Sequence, residues 1–258
     1  MELHAQRASG HGRCVPHLAS GTHQLTAQAT DKAGNAGDPS TAQAAIIGTP
    51  GDDIVPGISG PNFAAAGMGD DVYAVDNITD QVMESAGEGR DTILTSVDYT
   101  LAAGVAIEFL QANAGATGLT LTGNGFANTI TGGDGNDVIT GDGAADVLLG
   151  GLGADIFAFL ALTDSAVIAA SRDTIGDYSA LAGDLIGLSG IDANTGVGGD
   201  QAFAFIGAAS FSGVAGLLRA QVGGGTTVVS GDVNGDSVAD FAIKLTGSHA
   251  LNGANFIL

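Results

Sequence analysis

Residues 123–158 repeat with a period of nine, in four successive units that read GNGFANTIT, GGDGNDVIT, GDGAADVLL and GGLGADIFA. Each unit begins with glycine, carries Asn or Asp at its sixth position and has an apolar residue at its eighth. The sixth positions are Asn128, Asp137, Asp146 and Asp155, and the eighth positions are Ile130, Ile139, Leu148 and Phe157. A flexible Gly/Asp linker has no reason to hold three residue types in one phase. The period therefore predicts a repeated structural unit.

The residue types at these positions predict a turn that wraps a cation, followed by a short strand. Glycine allows the positive φ angles and the close backbone approach that a six-residue turn needs to point its carbonyls inward. The aspartate supplies a hard anionic oxygen, which Ca²⁺ prefers. Of the last three residues, which form the strand, only the apolar eighth residue would point into the core.

Two such units would make one full turn of a parallel β-roll, so units eighteen residues apart would stack on the same edge. We therefore expect Asp137 to face Asp155 across one ion, and Asn128 to face Asp146 across another on the opposite edge. The predicted calcium ligands of this array are Asn128, Gly132, Asp134, Gly135, Asp137, Gly141, Asp146, Gly150, Gly151, Gly153 and Asp155. The unit itself resembles the Gly-Gly-x-Gly-x-Asp-x-apolar-x repeat of RTX (haemolysin-type) calcium-binding proteins.

A shorter array in the same frame lies upstream, in the consecutive units Gly48–Pro56, Gly57–Ala65 and Ala66–Ala74. Its sixth positions are Asp53, Asn62 and Asp71. Asp52 and Asp70 adjoin the two aspartates, so one edge would carry four carboxylates that repel one another in the absence of a cation. Because asparagine replaces aspartate in the middle unit, we expect one ion here.

The two arrays are out of phase, since Gly123 follows Gly48 by 75 residues, which is not a multiple of nine. Alternating residues at 92–97 and 119–122 favour short strands, and the spacer could continue the stack without cation-binding turns. The acidic residues of this spacer could belong to the stack or could be ordinary solvated charges. We interpret Glu84 and Glu88 as solvated.

Seven basic and 28 acidic residues give the chain a formal net charge of −21. Aspartate accounts for 24 of the 28 acids, which favours ion-wrapping turns over solvated helix faces. The absence of a basic patch argues against a nucleic-acid partner. Because 45% of the residues are hydrophobic, an acidic disordered chain is also a poor description.

The sequence argues against three further features: an internal disulfide, a transmembrane segment and a secretory signal peptide. The single cysteine, Cys14, excludes an internal disulfide. No run of eighteen apolar residues is present, so we expect no transmembrane segment. The N-terminus lacks the apolar stretch of a secretory signal peptide.

Residues 154–258 carry several separated motifs, namely Arg172-Asp173-Thr174-Ile175, Gly183-Asp184-Leu185-Ile186, Leu188-Ser189-Gly190-Ile191-Asp192-Ala193-Asn194 and Gln201-Ala202-Phe203. With these motifs the stretch resembles the C-terminal domain of serralysin-type metalloproteases. The resemblance implies a β-rich unit stacked on the β-roll and an uncleaved C-terminal signal for type I secretion from a Gram-negative bacterium. Such signals end in an acidic residue and three apolar ones, whereas this chain ends in Asn255-Phe256-Ile257-Leu258. We interpret Asp173, Asp177 and Asp184 as structural acids near predicted turns.

A short segment near the C-terminus resembles the front of an EF-hand calcium loop. Its oxygen ligands at positions 1, 3, 5 and 9 would be Asp232, Asn234, Asp236 and Asp240. Ser237 replaces glycine at position 6 and Ile243 replaces glutamate at position 12, so an EF-hand is not expected. A single-loop Ca²⁺ site and a plain Asx-turn stay equal alternatives.

Residues 21–35 resemble the closing strands of bacterial Ig-like adhesin repeats, with Leu25, Ala27 and Ala29 alternating as in a half-buried strand. Too little of such a domain is present to fold alone. The histidines and the cysteine of the first 17 residues match no standard zinc spacing, so we expect a disordered terminus.

These observations divide the chain into four parts. Residues 1–46 are a disordered terminus with an Ig-like remnant, 47–122 a degenerate array with a strand-rich spacer, 123–158 an RTX β-roll, and 159–258 a serralysin-type C-terminal domain. The predicted fold class is all-β, with a parallel β-roll followed by a β-rich capping and secretion domain.

The predicted function is that of a secreted, non-catalytic calcium-binding module that folds on Ca²⁺ outside the cell. Its partners would be calcium ions and the type I secretion machinery, and it would form the tail of a larger secreted adhesin or enzyme. The alternative is the C-terminal part of a serralysin-like metalloprotease or other hydrolase. We expect no catalytic residue, because none of the five histidines starts a His-Glu-x-x-His motif and no Gly-x-Ser-x-Gly elbow is present.

Overall fold

The computed structural model describes residues 19–26, 28, 37–38, 40–113 and 118–258, together with the backbone of two short strands near the N-terminus. The only helical segments in this described part are single 3-10 turns at Ala169–Ser171 and Gly253–Asn255. The predicted all-β class is therefore confirmed. The chain forms two compact units, Met1–Asp91 and Thr92–Leu258. Their division falls inside the segment 47–122, and the four-part division stays a prediction.

In its described part, the first unit contains eight strands. They are β1 (His4–Ala5), β2 (Arg13–Cys14), β3 (Gly21–Leu25), β4 (Gln43–Ile47), β5 (Ile54–Val55), β6 (Asn62–Ala65), β7 (Val72–Val75) and β8 (Gln81–Val82). β1 pairs with β2, and β3 with β4, in antiparallel fashion. β4, β6 and β8 form a parallel ladder, and β5 is parallel to β7. Parallel partners such as Ile54 and Val72 are eighteen residues apart, so one turn takes two nonapeptides.

The second unit contains the remaining fifteen strands of the described chain. They are β9 (Thr92–Thr95), β10 (Tyr99–Thr100), β11 (Phe109–Ala112), β12 (Thr120–Thr122), β13 (Thr129–Asp134), β14 (Val138–Thr140), β15 (Val147–Leu152), β16 (Ile156–Ala158), β17 (Thr174–Ile175), β18 (Leu185–Gly187), β19 (Ala204–Phe205), β20 (Leu217–Gly223), β21 (Thr226–Asp232), β22 (Phe241–Thr246) and β23 (Phe256–Ile257).

Two parallel ladders run through the second unit, in the orders β10-β12-β14-β16-β18-β23 and β9-β11-β13-β15-β17-β22. Inside the repeat array, Ile130 pairs with Leu148 and Ile139 with Phe157, each eighteen residues on. The parallel β-roll is thus confirmed. β9 and β12 belong to these ladders, which confirms that strands of the spacer continue the stack.

The core of the roll is built from single side chains, one from each nonapeptide, in two rows that belong to the two ladders. Ile130, Ile139, Leu148 and Phe157 are all 0% exposed. In the first unit, the eighth-position residues Val55, Ala64 and Tyr73 are buried as well. The burial of the eighth residue is confirmed in both arrays, as the period-two pleat of a short strand predicts. The eighth residue is not alone, because the ninth-position residues Ala65 and Thr140 are buried as well.

The C-terminal part of the second unit is β-rich, as the sequence predicts. β20, β21 and β22 form an antiparallel meander, and β22 joins the roll by pairing in parallel with β17. The final strand, β23, pairs in parallel with β18, and the Leu188 N–H donates to the Ile257 carbonyl at 2.8 Å. Phe256 is buried, with its ring centroid 5.1 Å from that of Phe205. The chain terminus is therefore an integrated strand of the folded unit.

Only part of the predicted Ig-like segment 21–35 is described. Its residues 21–25 form β3, and Leu25 is 37% exposed. Ala27 and Ala29 lie outside the described residues, as do most residues of the predicted disordered terminus. Among the residues that are described, no helix is long and apolar enough to cross a bilayer.

The solvated character expected for Glu84 is wrong. Its side chain is only 4% exposed, because the Tyr73 hydroxyl and the Gly67 N–H both donate to its Oε1 atom. Glu88, in contrast, is partly exposed.

Candidate metal-binding site

Three consecutive turns of the array, 132–137, 141–146 and 150–155, share a left-handed backbone conformation at two positions, which favours glycine there. The second and fourth residues of the turn have positive φ angles, +96° at Gly133 and +119° at Gly135, and +91° at Gly151 and +135° at Gly153. In the turn 141–146, Asp142 and Ala144 occupy these positions with φ of 66° and 92°. Because left-handed backbone is costly for residues with a Cβ, the stack imposes this conformation even where glycine is missing.

The sixth-position carboxylates tie each turn to the turn before it. The Leu119 N–H donates to Asp137 Oδ1 at 2.6 Å, and the Asp137 N–H donates to Asp155 Oδ1 at 2.9 Å. On the opposite edge, the Asn128 N–H donates to Asp146 Oδ1 at 2.7 Å. The structure thus brings together both pairs that the period predicts, Asp137 with Asp155 and Asn128 with Asp146.

Both rows of carboxylates continue beyond the nonapeptide array, through residues that we interpreted as structural. The Asp155 N–H donates to Asp184 Oδ1 at 3.1 Å, and the Asp146 N–H donates to Asp173 Oδ1 at 2.9 Å. These partners are 29 and 27 residues away, so they do not obey the eighteen-residue spacing that reveals the others. A search for aspartate just before a predicted strand, without a fixed period, would have found them.

The second oxygen of most of these carboxylates has no hydrogen-bond partner. Each is sealed from solvent, and the set comprises Oδ2 of Asp71, Asp137, Asp146, Asp155 and Asp173. An unpaired, buried anionic acceptor is costly and rare in native proteins. The arrangement therefore provides hard anionic oxygens that a cation would satisfy.

The first glycine of each unit makes room for the sixth-position oxygen of the same unit. A Cβ atom on Gly132, Gly141 or Gly150 would overlap Oδ2 of Asp137, Asp146 or Asp155, respectively. At Gly123 the Cβ would lie 2.6 Å from Asn128 Oδ1. The invariant glycine and the sixth-position side chain are thus two halves of one cradle.

Backbone carbonyls crowd the space between successive turns. The carbonyl oxygens of Gly133 and Gly135 lie where Cβ atoms on Gly151 and Gly153 would be. In the described part of the chain, no three His, Cys, Asp or Glu side chains are grouped to hold a metal. A cation here would therefore combine aspartate oxygens with carbonyls, an all-oxygen set that suits Ca²⁺.

Burial strongly raises the pKa values of these carboxyl groups. It raises the pKa of Asp146 to about 8, of Asp173 to about 7 and of Asp155 to about 6, and nearby carboxylates add to the increase. Burial also raises the pKa of Asp71, Asp137 and Asp184. The ionised form of each group thus needs a compensating positive charge.

Without metal, the protein is expected to lose stability as the pH rises from about 4 to about 8. In that window the folded carboxyls of Asp146 and Asp173 hold protons that the unfolded chain has released, so the free energy of unfolding falls with rising pH. Since one unit of pKa shift corresponds to about 1.4 kcal/mol, the loss should be on the order of 3 kcal/mol or more. Far-UV circular dichroism of the metal-free chain at several pH values measures this loss as a decrease in β signal. Asp146→Asn should flatten the pH dependence, and an unchanged slope would contradict the assignment.

The first unit has the same type of carboxylate row. The Asp53 N–H donates to Asp71 Oδ1 at 2.7 Å, and the Asp71 N–H donates to Asp91 Oδ1 at 2.9 Å. Asp91, twenty residues after Asp71, is another member that the nine-residue period does not reveal. Asp52 accepts from the Asp70 N–H at 2.9 Å. The four carboxylates of this edge are therefore joined through backbone groups.

Asn128 and Asp134 are predicted calcium ligands that are placed differently from the buried aspartates. The Asn128 amide is used inside the protein, since its Oδ1 accepts from the Asn124 N–H at 3.0 Å and its Nδ2 donates to the Ile107 carbonyl at 2.6 Å. Asp134 lies at the exposed end of β13.

The loop at 232–240 has the hydrogen bonds of an Asx-turn. Both carboxylate oxygens of Asp232 accept from the loop's own backbone, at 2.7 Å from the Gly235 N–H and 3.0 Å from the Ser237 N–H. Asp240 accepts from the Val233 N–H at 2.7 Å and from Asn234 Nδ2 at 2.9 Å. Asp236 is exposed and accepts from the Val238 N–H. The three aspartates of this loop accept from backbone N–H groups, and Asp240 also accepts from the Asn234 side chain; the role of the four residues as calcium ligands stays a prediction.

Comparison with known proteins gives two findings. The family model described as "Peptidase M10 serralysin C terminal" matches residues 27–258. The chain is also 41% identical, over 91 residues, to the "Endo-1,3-1,4-beta-glycanase ExsH" of Rhizobium meliloti (strain 1021). That similarity covers 35% of this chain and 19% of the glycanase, so the chain spans only about a fifth of that relative.

Proposed function

The chain belongs to the peptidase M10 serralysin C-terminal family, and from that premise we propose that it is a non-catalytic calcium-binding module that folds on Ca²⁺ outside the cell. In this proposal it carries a C-terminal type I secretion signal and forms the tail of a larger secreted protein. The observation that carries the calcium proposal is the set of five buried aspartate oxygens without hydrogen-bond partners. Leaving each one unpaired would cost about 1–3 kcal/mol, which a bound cation would remove.

The best-supported ion position lies between the turns 132–137 and 150–155. Asp137 and Asp155 would supply the anionic oxygens, and the turn glycines Gly132, Gly135, Gly150, Gly151 and Gly153 the backbone shell. On the other edge, the ion would bind Asp146 together with Asp173, because the amide of Asn128 is engaged elsewhere. In the first unit, Asp53 and Asp71 would share one ion.

Calcium would act by coupling metal binding to folding. At low Ca²⁺ inside the cell, repulsion between ionised carboxylates disfavours the stacked turns and keeps the chain exportable. Outside, about millimolar Ca²⁺ matches the weak dissociation constants of extracellular sites, on the order of 10⁻⁴–10⁻³ M, and stabilises the roll by mass action.

The secretion part of the proposal rests on family membership and on the apolar end of the chain. In the folded protein Phe256 is buried and β23 is paired with β18. This supports an order in which recognition of the tail precedes folding. Export machinery would therefore read the tail before the roll folds.

The glycanase similarity favours a second candidate, in which the chain is the C-terminal part of a secreted hydrolase. Its calcium-dependent role would be the same in that setting, and hydrolysis would reside outside these 258 residues.

Calcium titration of the metal-free chain, followed by far-UV circular dichroism, tests the proposed function. We expect a cooperative rise of β signal with a midpoint on the order of 10⁻⁴–10⁻³ M Ca²⁺ and little response to Mg²⁺, which prefers a smaller octahedral shell. A chain that is already folded in chelator at neutral pH, or that responds equally to both ions, would overturn the proposal.

A further inference from the structure

The chain contains three Asn-Gly dipeptides, Asn124-Gly125, Asn234-Gly235 and Asn252-Gly253. In this dipeptide the glycine nitrogen can attack Cγ of the asparagine side chain, because glycine has no Cβ to shield the nitrogen. The attack closes a succinimide ring and releases ammonia, and water then opens the ring to aspartate or isoaspartate. Since the three dipeptides share this chemistry, their surroundings in the folded protein decide which of them reacts.

Asn124 is held away from this reaction by burial and by its hydrogen bonds. Its side chain is 2% exposed, and its Nδ2 donates to the carbonyls of Ala102 and Val105 at 3.0 and 2.8 Å. Its Oδ1 accepts from the Phe126 N–H at 3.1 Å. The nitrogen that would have to leave is therefore bound twice inside the protein.

Asn234 is exposed, but the nucleophile beside it is engaged. The Gly235 N–H donates to Asp232 Oδ1 at 2.7 Å, and Asn234 Nδ2 donates to Asp240 Oδ1 at 2.9 Å. A Cβ on Gly235 would lie only 3.0 Å from the Ala215 nitrogen, so the backbone has little room to move. Ring closure here would break both hydrogen bonds in a crowded loop.

Asn252 has neither of these protections. It is exposed, and Gly253 is the first residue of the 3-10 turn Gly253–Asn255, where an N–H group has no acceptor within the turn. A Cβ on Gly253 would meet no atom within 4 Å, so open space surrounds the attacking backbone. In the described part of the chain, Oδ1 is the side-chain atom of Asn252 that has a hydrogen-bond partner, which leaves Nδ2 to solvent.

We propose that Asn252-Gly253 is a site of spontaneous deamidation in the folded protein. Hydroxide or a buffer base removes the Gly253 N–H proton, and the nitrogen forms a bond to Asn252 Cγ. The Ala254 N–H, 2.9 Å from Oδ1, stabilises the negative charge that develops on that oxygen. The Cγ–Nδ2 bond then breaks, and Nδ2 takes a proton from water and leaves as ammonia. Water hydrolyses the succinimide at either of its two carbonyl groups.

The two products would affect the end of the chain differently. Aspartate caps a helical turn as well as asparagine does, so the aspartate product keeps the turn. Isoaspartate routes the main chain through Cβ and Cγ and displaces Gly253, whose carbonyl accepts the Phe256 N–H. Because Phe256 begins β23, the isoaspartate product loosens the C-terminal strand. This inference rests on the fold alone and not on the proposed function.

Peptide mapping of the full chain tests the site. Trypsin cleaves after lysine and arginine and places the three dipeptides on separate peptides, 91–172, 220–244 and 245–258. After incubation of the calcium-loaded protein at neutral pH, mass spectrometry should show peptide 245–258 converting at least about tenfold faster than the other two, whose hydrogen bonds must first break. In urea with chelator all three should convert at similar rates. Similar rates in the folded protein, or conversion of Asn252 only in urea, would overturn the proposal.

Gly253→Ala is the matched variant. Gly253 has no positive φ angle and has open space for a Cβ, so the variant should fold like the unmodified chain. The added methyl group shields the nitrogen, and conversion of peptide 245–258 should slow while the other two peptides stay unchanged. Undiminished conversion would contradict attack by the Gly253 nitrogen. If the variant does not fold, the comparison of the three peptides in the unmodified chain decides the outcome.

Hydrogen exchange tests the effect on β23. The Leu188 N–H donates to the Ile257 carbonyl, so it should exchange faster in aged protein, in proportion to the isoaspartate detected with an isoaspartate-specific methyltransferase. Asn252→Asp, which makes the other product directly, should exchange like the unmodified chain. Equal exchange in all three samples would contradict a loosened strand.

Discussion

Replacing Asp137 and Asp155 together with asparagine is expected to weaken strongly the calcium-induced folding of the roll. Asparagine keeps an oxygen at the Oδ1 position, so the hydrogen bonds from the Leu119 and Asp137 N–H groups can persist. The substitution removes only the negative charge and the second anionic oxygen. Since those oxygens are buried and unpartnered, calcium should lose its principal ligands. The calcium midpoint measured by circular dichroism should rise at least about tenfold, equivalent to about 1.4 kcal/mol.

Asp98→Asn is the matched control for this double variant. Asp98 Oδ1 accepts from the Thr120 N–H at 2.8 Å, which is the same kind of contact between neighbouring turns, but Asp98 is exposed. Its replacement should leave the calcium midpoint unchanged. An unaltered midpoint in the double variant would show that the aspartate charge is not what calcium recognises.

Gly150→Ala is expected to destabilise the calcium-loaded protein and to weaken calcium binding. The new Cβ would overlap Asp155 Oδ2 and would lie 2.7 Å from Asp155 Cγ, so the carboxylate would have to leave its position. Overpacking of a close-packed site costs about 1–3 kcal/mol, to which the loss of an ion ligand is added. Urea unfolding and calcium titration measure the two effects.

Gly143→Ala separates this steric effect from a general loss of glycine. Gly143 lies in the same repeat array, has no positive φ angle, and has open space where a Cβ would be. We expect its replacement to be nearly neutral. If both alanine variants behave alike, the cradle formed by Gly150 and Asp155 is not the cause of the requirement for glycine.

The nine-residue period was sufficient to predict the strands, their eighteen-residue register and the buried eighth positions. Such a prediction works because each feature repeats locally and depends on a few residue types. The period did not predict that Asp173 and Asp184 belong to the same edges. They follow their partners in the rows by 27 and 29 residues, and not by eighteen. Their role depends on where the chain returns to the stack, which the period does not encode.

The prediction that Glu84 is solvated was wrong for a different reason. Its burial depends on the Tyr73 hydroxyl and the Gly67 N–H, which lie eleven and seventeen residues earlier in the chain. A glutamate in a Gly-rich segment is usually solvated, and only the three-dimensional stacking of turns reveals its partners. The spacing also predicts that the side chain of Asn128 faces an ion, which stays a prediction; the hydrogen bonds of its amide with the Ile107 carbonyl and the Asn124 N–H are not encoded in the period.

The two rows of core residues have a consequence for how this array can change in evolution. Ile130 meets Leu148, and Ile139 meets Phe157, while no deeper layer of the array has to be repacked around them. Stability is then a sum of nearest-neighbour terms along one dimension. An eighteen-residue turn could be inserted or deleted within the array without redesign of the others. Length is therefore an adjustable property of such a protein, and the number of ions would change in step with it.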